Sequence, residues 1–434
     1  MSESFEVVVV LVIFLGLLAA GMAIPFAIGV PAIAYLLLHG GVPALKGIGL
    51  MSWGSMNNRS LSAIPLFILM AEIMQRSGLS FRIYRGLAKL VSVIPGGLLQ
   101  TNIAGCAMFA AISGSSVATA AAIGTVALPQ LTQRGYHRRL AAGSLAAGGT
   151  LGILVPPSIA LIVYGTFTET SVSKLFMAGI VPGILLTAMF MAYICVHALL
   201  KPEIAPRERG PQNVGEFLTA LGDLVPFVVV IGGTLGSLYT GWATPTEAAA
   251  IGCVTATVVS SIWGSVTLAG LREAMIAAVK VSGNILLIVY TAFVFSYAIS
   301  VAGVGESLTT WLVGLKLARL EFFFALFILY TVLGCLVESL GMIVITVPLL
   351  YPVLLKYGID PVWFGIILVM FIELGQISPP IGINLFVIQS IWDGKIGDIV
   401  LGTIPFHLIM FVLLAMLVLW PEIALWLPHH TGSA

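Results

Sequence analysis

Two short stretches combine helix breakers with small polar groups in an otherwise apolar chain. They are Leu151-Gly152-Ile153-Leu154-Val155-Pro156-Pro157 and, 223 positions later, Leu374-Gly375-Gln376-Ile377-Ser378-Pro379-Pro380. Proline has no N–H, and its ring clashes with the carbonyl four residues back. The carbonyls around Gly152–Val155 and Gly375–Ser378 therefore lose helical donors, and the glycines let the backbone unwind. Carbonyls freed in this way suit a dehydrated Na⁺, and the half-helix N-terminus that follows such a break favours an anion. A plain proline kink is the simpler reading of one such pair. Two at matching positions point to two halves of one built site.

Further polar groups stand in two apolar stretches. ISGSSVATAAAIGT offers Ser113, Gly114, Ser115, Ser116 and Thr119; LVESLGMIVIT offers Glu338, Ser339, Gly341 and Thr346. Small hydroxyl residues also serve as helix-packing positions, an alternative that stays open for Ser115 and Thr119. Four carboxylates fall within apolar segments: Glu72, Glu247, Glu338 and Glu373. An Asp or Glu near the bilayer centre costs roughly 2.5–3.5 kcal/mol on insertion scales, so each is a functional candidate. Glu338, at the position matching Ser115, is the strongest, and Glu373, matching Thr150, is next. Glu247 follows Thr244-Pro245 and reads as a helix cap, while Glu72 pairs with Arg76 four residues on. No Lys or Arg falls at the centre of an expected span. An anionic ligand would be held by helix N-termini, hydroxyls, Gln376, Asn384 and bound cations.

The elements that must position these groups are membrane helices. The 434 residues are 59% hydrophobic and 9% charged, against roughly a quarter charged in soluble domains. Apolar runs of about 20 residues recur throughout, the mark of a polytopic membrane protein. The net charge of +1 carries no nucleic-acid footprint. Cys106, Cys195, Cys253 and Cys335 are scattered and suggest neither disulfide nor metal. The N-terminus carries Glu3 and Glu6 without a basic residue, so an uncleaved first span is expected over a signal peptide.

At the single offset of 223, Pro129 falls on Pro352, Gly135 on Gly358, Leu145 on Leu368, Pro182 on Pro405 and Ser116 on Ser339. Sparse identity in one ungapped register is the signature of an internal repeat. Placing the basic clusters on the cytoplasmic side gives spans at about 5–21, 24–40 and 60–77. A re-entrant hairpin at about 96–127, a broken helix at about 140–166 and a span at 175–199 follow. Residues 201–216 read as a cytoplasmic linker. The second half then has spans at about 217–240, 246–264 and 281–303, a hairpin at 321–350, a broken helix at 362–391 and a last span at 399–426. The expected fold is all-α and polytopic, with two inverted repeats, 1–200 and 217–434, each holding a hairpin and a broken helix. Scaffold helices occupy about 1–90, and both termini are expected to be periplasmic.

Four segments are similar to the large membrane subunit of tripartite ATP-independent periplasmic (TRAP) transporters. They are ISGSSVATAAAIGTVALPQL, AAGGTLGILVPPSIALIVYG, GWATPTEAAAIG and LGQISPPIGINLFVI, and the resemblance covers essentially the whole chain. It implies secondary active, Na⁺-driven uptake of an organic acid (a C4-dicarboxylate, keto acid or sugar acid) across the bacterial inner membrane by an elevator-like motion. It implies a small four-span membrane subunit and a periplasmic substrate-binding protein as partners, and two or more Na⁺ as coupling ions. Carried over by motif, one Na⁺ site is expected from Ser113, Ser116 and the carbonyls near Gly152 and Pro156. A second is expected from Ser339, Gly341, Gly375, Ser378 and Pro379. Substrate contact is expected from Ser115, Thr150, Ser158, Glu338, Gln376 and Asn384.

The nearest rival is a Na⁺/dicarboxylate symporter of similar architecture that needs no binding protein. Its family's Ser-Asn-Thr hairpin differs from Ser-Gly-Ser-Ser here. Enzyme motifs such as HExxH and G-x-S-x-G are missing from the sequence. A passive channel, the third possibility, needs no saturable ion site.

Overall fold

The computed structural model describes residues 12–431 apart from 15, 19, 209 and 336. Of the expected first span at about 5–21, residues 5–11, 15 and 19 lie outside the described residues, while 12–14 and 16–18 are helical. Among these residues all regular structure is helical, as lipid demands of a chain that must satisfy its backbone internally. Among the described residues, eight helical stretches are long and apolar enough to cross a membrane.

Helices α1 (Ile24–Met56), α2 (Ala63–Arg76) and α3 (Leu79–Val91) come first. The backbone of α1 leaves helical geometry at Gly41, two residues before Pro43, so the span expected to end at 40 continues as a bent helix to Met56. The hairpin of α4 (Leu98–Ser113) and α5 (Ser116–Gln133) follows, then α6 (Arg138–Leu154) and α7 (Ile159–Thr168) on either side of Pro156-Pro157. Helix α8 (Val172–Leu200) leads to the linker.

The second half opens with α9 (Val214–Gly222), α10 (Val225–Tyr239) and α11 (Pro245–Trp263). Next are α12 (Leu268–Val301) and α13 (Val304–Gly314). A hairpin of α14 (Arg319–Gly334) and α15 (Ser339–Lys356) follows. Then come α16 (Pro361–Gln376), α17 (Ile383–Ile391), α18 (Ile396–Leu419) and α19 (Glu422–Thr431).

Several bounds recur at the 223-residue offset. Helices α5 and α15 begin and end at offset positions, and α6 and α16 begin at them. Both Pro-Pro bonds, Pro156-Pro157 and Pro379-Pro380, are cis. Both hairpins run further than expected, to 133 and 356, because their stop signals lie further on. Gly135 and Gly358 take positive φ of 75° and 62°. Tyr136 N donates to Leu131 O, and Ile359 N to Leu354 O, at 3.0 Å each. These are paired Schellman endings, in which glycine takes the left-handed position at no steric cost. The last span, expected to reach 426, stops at Leu419 because Pro421 disfavours helical geometry at Trp420.

Packing sorts the helices into two groups. Helices α1, α2, α10, α11 and α12 pack on one another. The second group centres on α6, which packs on α4, α5 and α18, while α17 packs on α5 and α15 on α7. The two hairpins and two broken helices are thus interleaved. The apolar window of residues 138–168 is 94% buried, against 28% for that of α1. The first helix break therefore lies inside protein rather than against lipid, where irregular backbone is tolerated.

Candidate functional site

The tip of the first hairpin is a two-residue turn. Gly114 closes α4 in the left-handed region at φ 59°, and the Ser115 side chain caps α5 by accepting from Ala118 N. Ser113 Oγ lies 2.7 Å from Thr119 Oγ1 and 3.2 Å from Ser115 O. This cluster is held against the first break: Ile159 N donates to Gly114 O at 3.3 Å. Gly152 permits the approach, since a Cβ there would sit 2.7 Å from Thr119 Oγ1 and run into Ser115 O. Ser158 caps α7 and is fully buried.

The second break is built differently. Gly375 packs on Gly334 of α14, and a Cβ on Gly375 would lie 2.9 Å from Gly334 Cα. Ser378 Oγ donates to Leu374 O at 2.7 Å and lies 3.2 Å from His407 Nε2. Gly382 N donates to Ser378 O at 2.9 Å. The Cys335 thiol, in the connection between α14 and α15, donates to Pro379 O at 3.5 Å. On α15, Thr346 bonds the Tyr330 hydroxyl of α14, which ties the second hairpin together. Gly341 is buried on α15, where a Cβ would meet the Val337 side chain at 2.6 Å.

The halves are joined by Asn384 of α17. Its Nδ2 donates to Ser116 Oγ at 2.6 Å and to Ala146 O at 3.3 Å. One side chain thereby ties the second broken segment to the first hairpin and to α6.

Both hairpin tips open onto one cavity of about 190 Å³. Ser113, Gly114 and Ser115 line it from one hairpin, and Glu338, Ser339 and Leu340 from the other; Ile159 and Ala160 add the start of α7. The opposite wall comes from the first helix group: Glu72 and Gln75 of α2, with Val281, Asn284 and Ile288 of α12. The cavity thus lies between the interleaved hairpins and the α2–α12 layer. Glu72 is also ion-paired with Arg76 at 3.0 Å, and Glu247 forms a capping box with Thr244, as the spacing of each suggested.

Of the expected substrate contacts, Ser115 and Glu338 line this cavity. Thr150, Ser158, Gln376 and Asn384 do not; all four are fully buried. The Thr150 hydroxyl donates within its own helix to Ala147 O at 2.7 Å. Of the expected ion ligands, Ser113, Ser116 and Gly152 gather around the first tip, whereas Gly375, Ser378 and Pro379 gather at the second break and Ser339 faces the cavity. Gln75 and Asn284 were not singled out in the sequence. Gln75 directly precedes Arg76 at the end of its apolar run and Asn284 lies four residues after Lys280 at the start of its own, so neither stands out in the sequence.

The oxygens at the first tip are neutral hydroxyls and carbonyls, a donor set that suits a hard cation such as Na⁺ rather than a transition metal. Among the described residues, no group of three His, Cys, Asp or Glu side chains gathers to hold a metal. Away from the membrane-spanning segments, the linker docks on the base of the first hairpin. Tyr136 Oη accepts from Leu98 N at 2.9 Å and donates to Glu208 Oε1 at 3.0 Å, and Arg134 pairs with Glu208. Burial pushes the Tyr136 hydroxyl above its ordinary range, which keeps it a donor.

The architecture is that of a multi-span membrane transporter. It aligns with the YdaH transporter of Alcanivorax borkumensis at a TM-score of 0.65, with 15% identity, over 89% of this chain and 90% of that one. Residues 11–423 match the family described as "Tripartite ATP-independent periplasmic transporter, DctM component", and the chain belongs to that family of permeases, which are not enzymes. It is 33% identical to the C4-dicarboxylate TRAP transporter large permease protein DctM of Pseudomonas aeruginosa, over 90% of this chain and 91% of that protein. It is also 33% identical to the 2,3-diketo-L-gulonate large permease protein YiaN of Escherichia coli (95% and 97%). With the sialic acid large permease protein SiaM of Vibrio cholerae it shares 31% identity (96% and 97%).

Proposed function

We propose that this chain moves an organic acid across the bacterial inner membrane in symport with Na⁺, as the large subunit of a three-part system. A small four-span subunit and a periplasmic substrate-binding protein complete it, and both termini of the chain face the periplasm. The two halves act as inverted repeats. The interleaved hairpins and broken helices form the moving body, and the layer of α1, α2 and α10–α12 forms the scaffold. The recurrence of helix bounds at one offset supports the repeat. The cavity between the two helix groups supports the division.

The observation that carries the reading is the meeting of both hairpin tips in that cavity, beside a neutral oxygen cluster. Na⁺ bound at the first tip would be held by Ser113, Ser115 O and Thr119, with Ser116 and Gly152 shaping the cradle. It would supply positive charge next to the cavity. The substrate carboxylate would face that charge, the start of α7, and the amides of Gln75 and Asn284. Among the described residues no lysine or arginine lines this cavity, so substrate affinity depends on the bound ion, and the two are coupled by linkage.

The test is the melting temperature of the purified protein against NaCl at constant ionic strength, with K⁺ and choline as controls. A ligand selective for the folded state stabilises by about 2.7 kcal/mol at a hundred times its Kd. A saturable rise confined to Na⁺, reduced in Ser113→Ala and Thr119→Val, is expected. Equal curves in all three salts would refute Na⁺ coupling. Uptake by the reconstituted three-part system, assayed with succinate, gluconate and a keto acid, then identifies the substrate.

A further inference from the structure

The second half carries a polar pair that the first half lacks. Glu373 and Gln376 stand one turn apart on α16, so they share a helix face. Both are fully buried. Neither carboxylate oxygen of Glu373 has a hydrogen-bond partner, and neither the oxygen nor the nitrogen of the Gln376 amide has one. They sit in a helix whose residues from Trp363 to Gln376 are all buried. At the offset of 223 the corresponding residues are Thr150, which satisfies itself on Ala147 O, and Ile153, which needs no partner. The pair is therefore an addition to the repeated pattern.

A buried carboxylate needs a counter-charge or neutralisation. The arginines on the helices packed against α16 are engaged elsewhere. Arg138 pairs with Asp393 and Arg139 with Asp398, and Arg319 lies over the Trp363 ring at 5.0 Å. His407 contacts Ser378 and Thr403 O. The protein thus presents a carboxylate and an amide oxygen on one face, closed to solvent, next to a helix break. Hard oxygen donors carrying one negative charge suit a small monovalent cation.

We propose that Glu373 and Gln376 form an additional Na⁺ site, present only in the second half, so that the two halves bind unequal numbers of ions. This rests on the Na⁺-coupled reading above. The ion neutralises Glu373 where no arginine does, and its charge travels with the second broken helix.

The experiment counts bound ions. Radiolabelled Na⁺ binding to the purified protein is followed to saturation for the wild type, Glu373→Gln, Gln376→Ile, Thr150→Val and Ser113→Ala. Gln376→Ile installs the residue type that the first half carries at the matching position. Glu373→Gln and Gln376→Ile are each expected to lose one Na⁺ per protein while keeping the rest, and Thr150→Val none. A count unchanged in both variants would overturn the extra site, assign neutralisation of Glu373 to a proton, and leave Na⁺ coupling standing. A wild type that binds no Na⁺ would overturn the functional reading itself. If Glu373→Gln does not fold, Gln376→Ile decides.

Discussion

Asn384 offers a direct measure of how strongly the two halves are joined. Its fully buried side chain donates at 2.6 Å to Ser116 Oγ and at 3.3 Å to Ala146 O. A neutral hydrogen bond contributes about 1 kcal/mol net, and interhelical bonds in a membrane protein average about 0.6 kcal/mol with a maximum near 1.7. Ser116→Ala removes one bond and should cost about 1 kcal/mol. Asn384→Ala removes both and leaves unfilled space, so about 2–3 kcal/mol is expected. The bond between the two side chains is lost in either variant. The double variant should therefore cost about as much as Asn384→Ala alone, with a coupling of roughly 0.6–1.5 kcal/mol. The assay is reversible unfolding in mixed micelles of the wild type, both single variants and the double variant, without Na⁺. Costs that simply add, to within about 0.3 kcal/mol, would show that Asn384 and Ser116 do not act as a pair.

Other expectations follow from the same contacts. Gly152→Ala should lower stability by about 1–3 kcal/mol and weaken Na⁺ binding, because its Cβ meets backbone at Ser115; thermal shift with and without NaCl checks both. Gly375→Ala should cost a similar amount by pushing α16 off Gly334, read in the same assay. Asp223→Ala removes a buried carboxylate that joins Arg82 and Arg85 at 2.8 Å each. Those arginines are partly exposed and rehydrate, so the expected loss is only about 1–2 kcal/mol, measured as a fall in melting temperature. Tyr136→Phe leaves Leu98 N without its acceptor and should cost about 1–2 kcal/mol. It should also speed proteolysis of the linker, followed by limited digestion.

The features legible in the sequence are those fixed by backbone chemistry. Pro156-Pro157 and Pro379-Pro380 mark where helices break because no tertiary contact can restore a missing N–H. Gly135 and Gly358 mark hairpin ends because the left-handed position suits glycine, although the sequence reading stopped each helix several residues short. Helices α3 and α13 escaped notice as separate elements. Each is shorter than a span and separated from its neighbour by a short turn, so neither stands out in a search for runs of about 20 apolar residues. The cavity was less legible. Gln75 and Asn284 reach it only because α2 and α12 pack together opposite the hairpin tips, a juxtaposition with no local signature. Gln376 and Asn384 look alike in sequence, as polar groups flanking one break, yet the structure gives Asn384 two partners and Gln376 none.

That contrast bears on how a symmetric scaffold can do asymmetric work. In the first half, the polar groups around the break satisfy one another: Thr150 on its own helix, Ser113 on Thr119, and Ser116 on Asn384 from across the molecule. In the second half, Glu373 and Gln376 at the matching register remain unsatisfied by protein. A fold made only to be stable would place Thr and Ile there, as the first half does, since buried polar groups without partners are destabilising. A carboxyl group retained at this position has to be completed in the folded state, and the Na⁺ proposed above is the ligand that would do so. The stability of the second break should then depend on that ligand more steeply than the stability of the first. Hydrogen exchange on α16 and α6 with and without Na⁺ reads this difference directly: α16 should gain protection on Na⁺ addition beyond any gain in α6, and equal gains would remove the asymmetry.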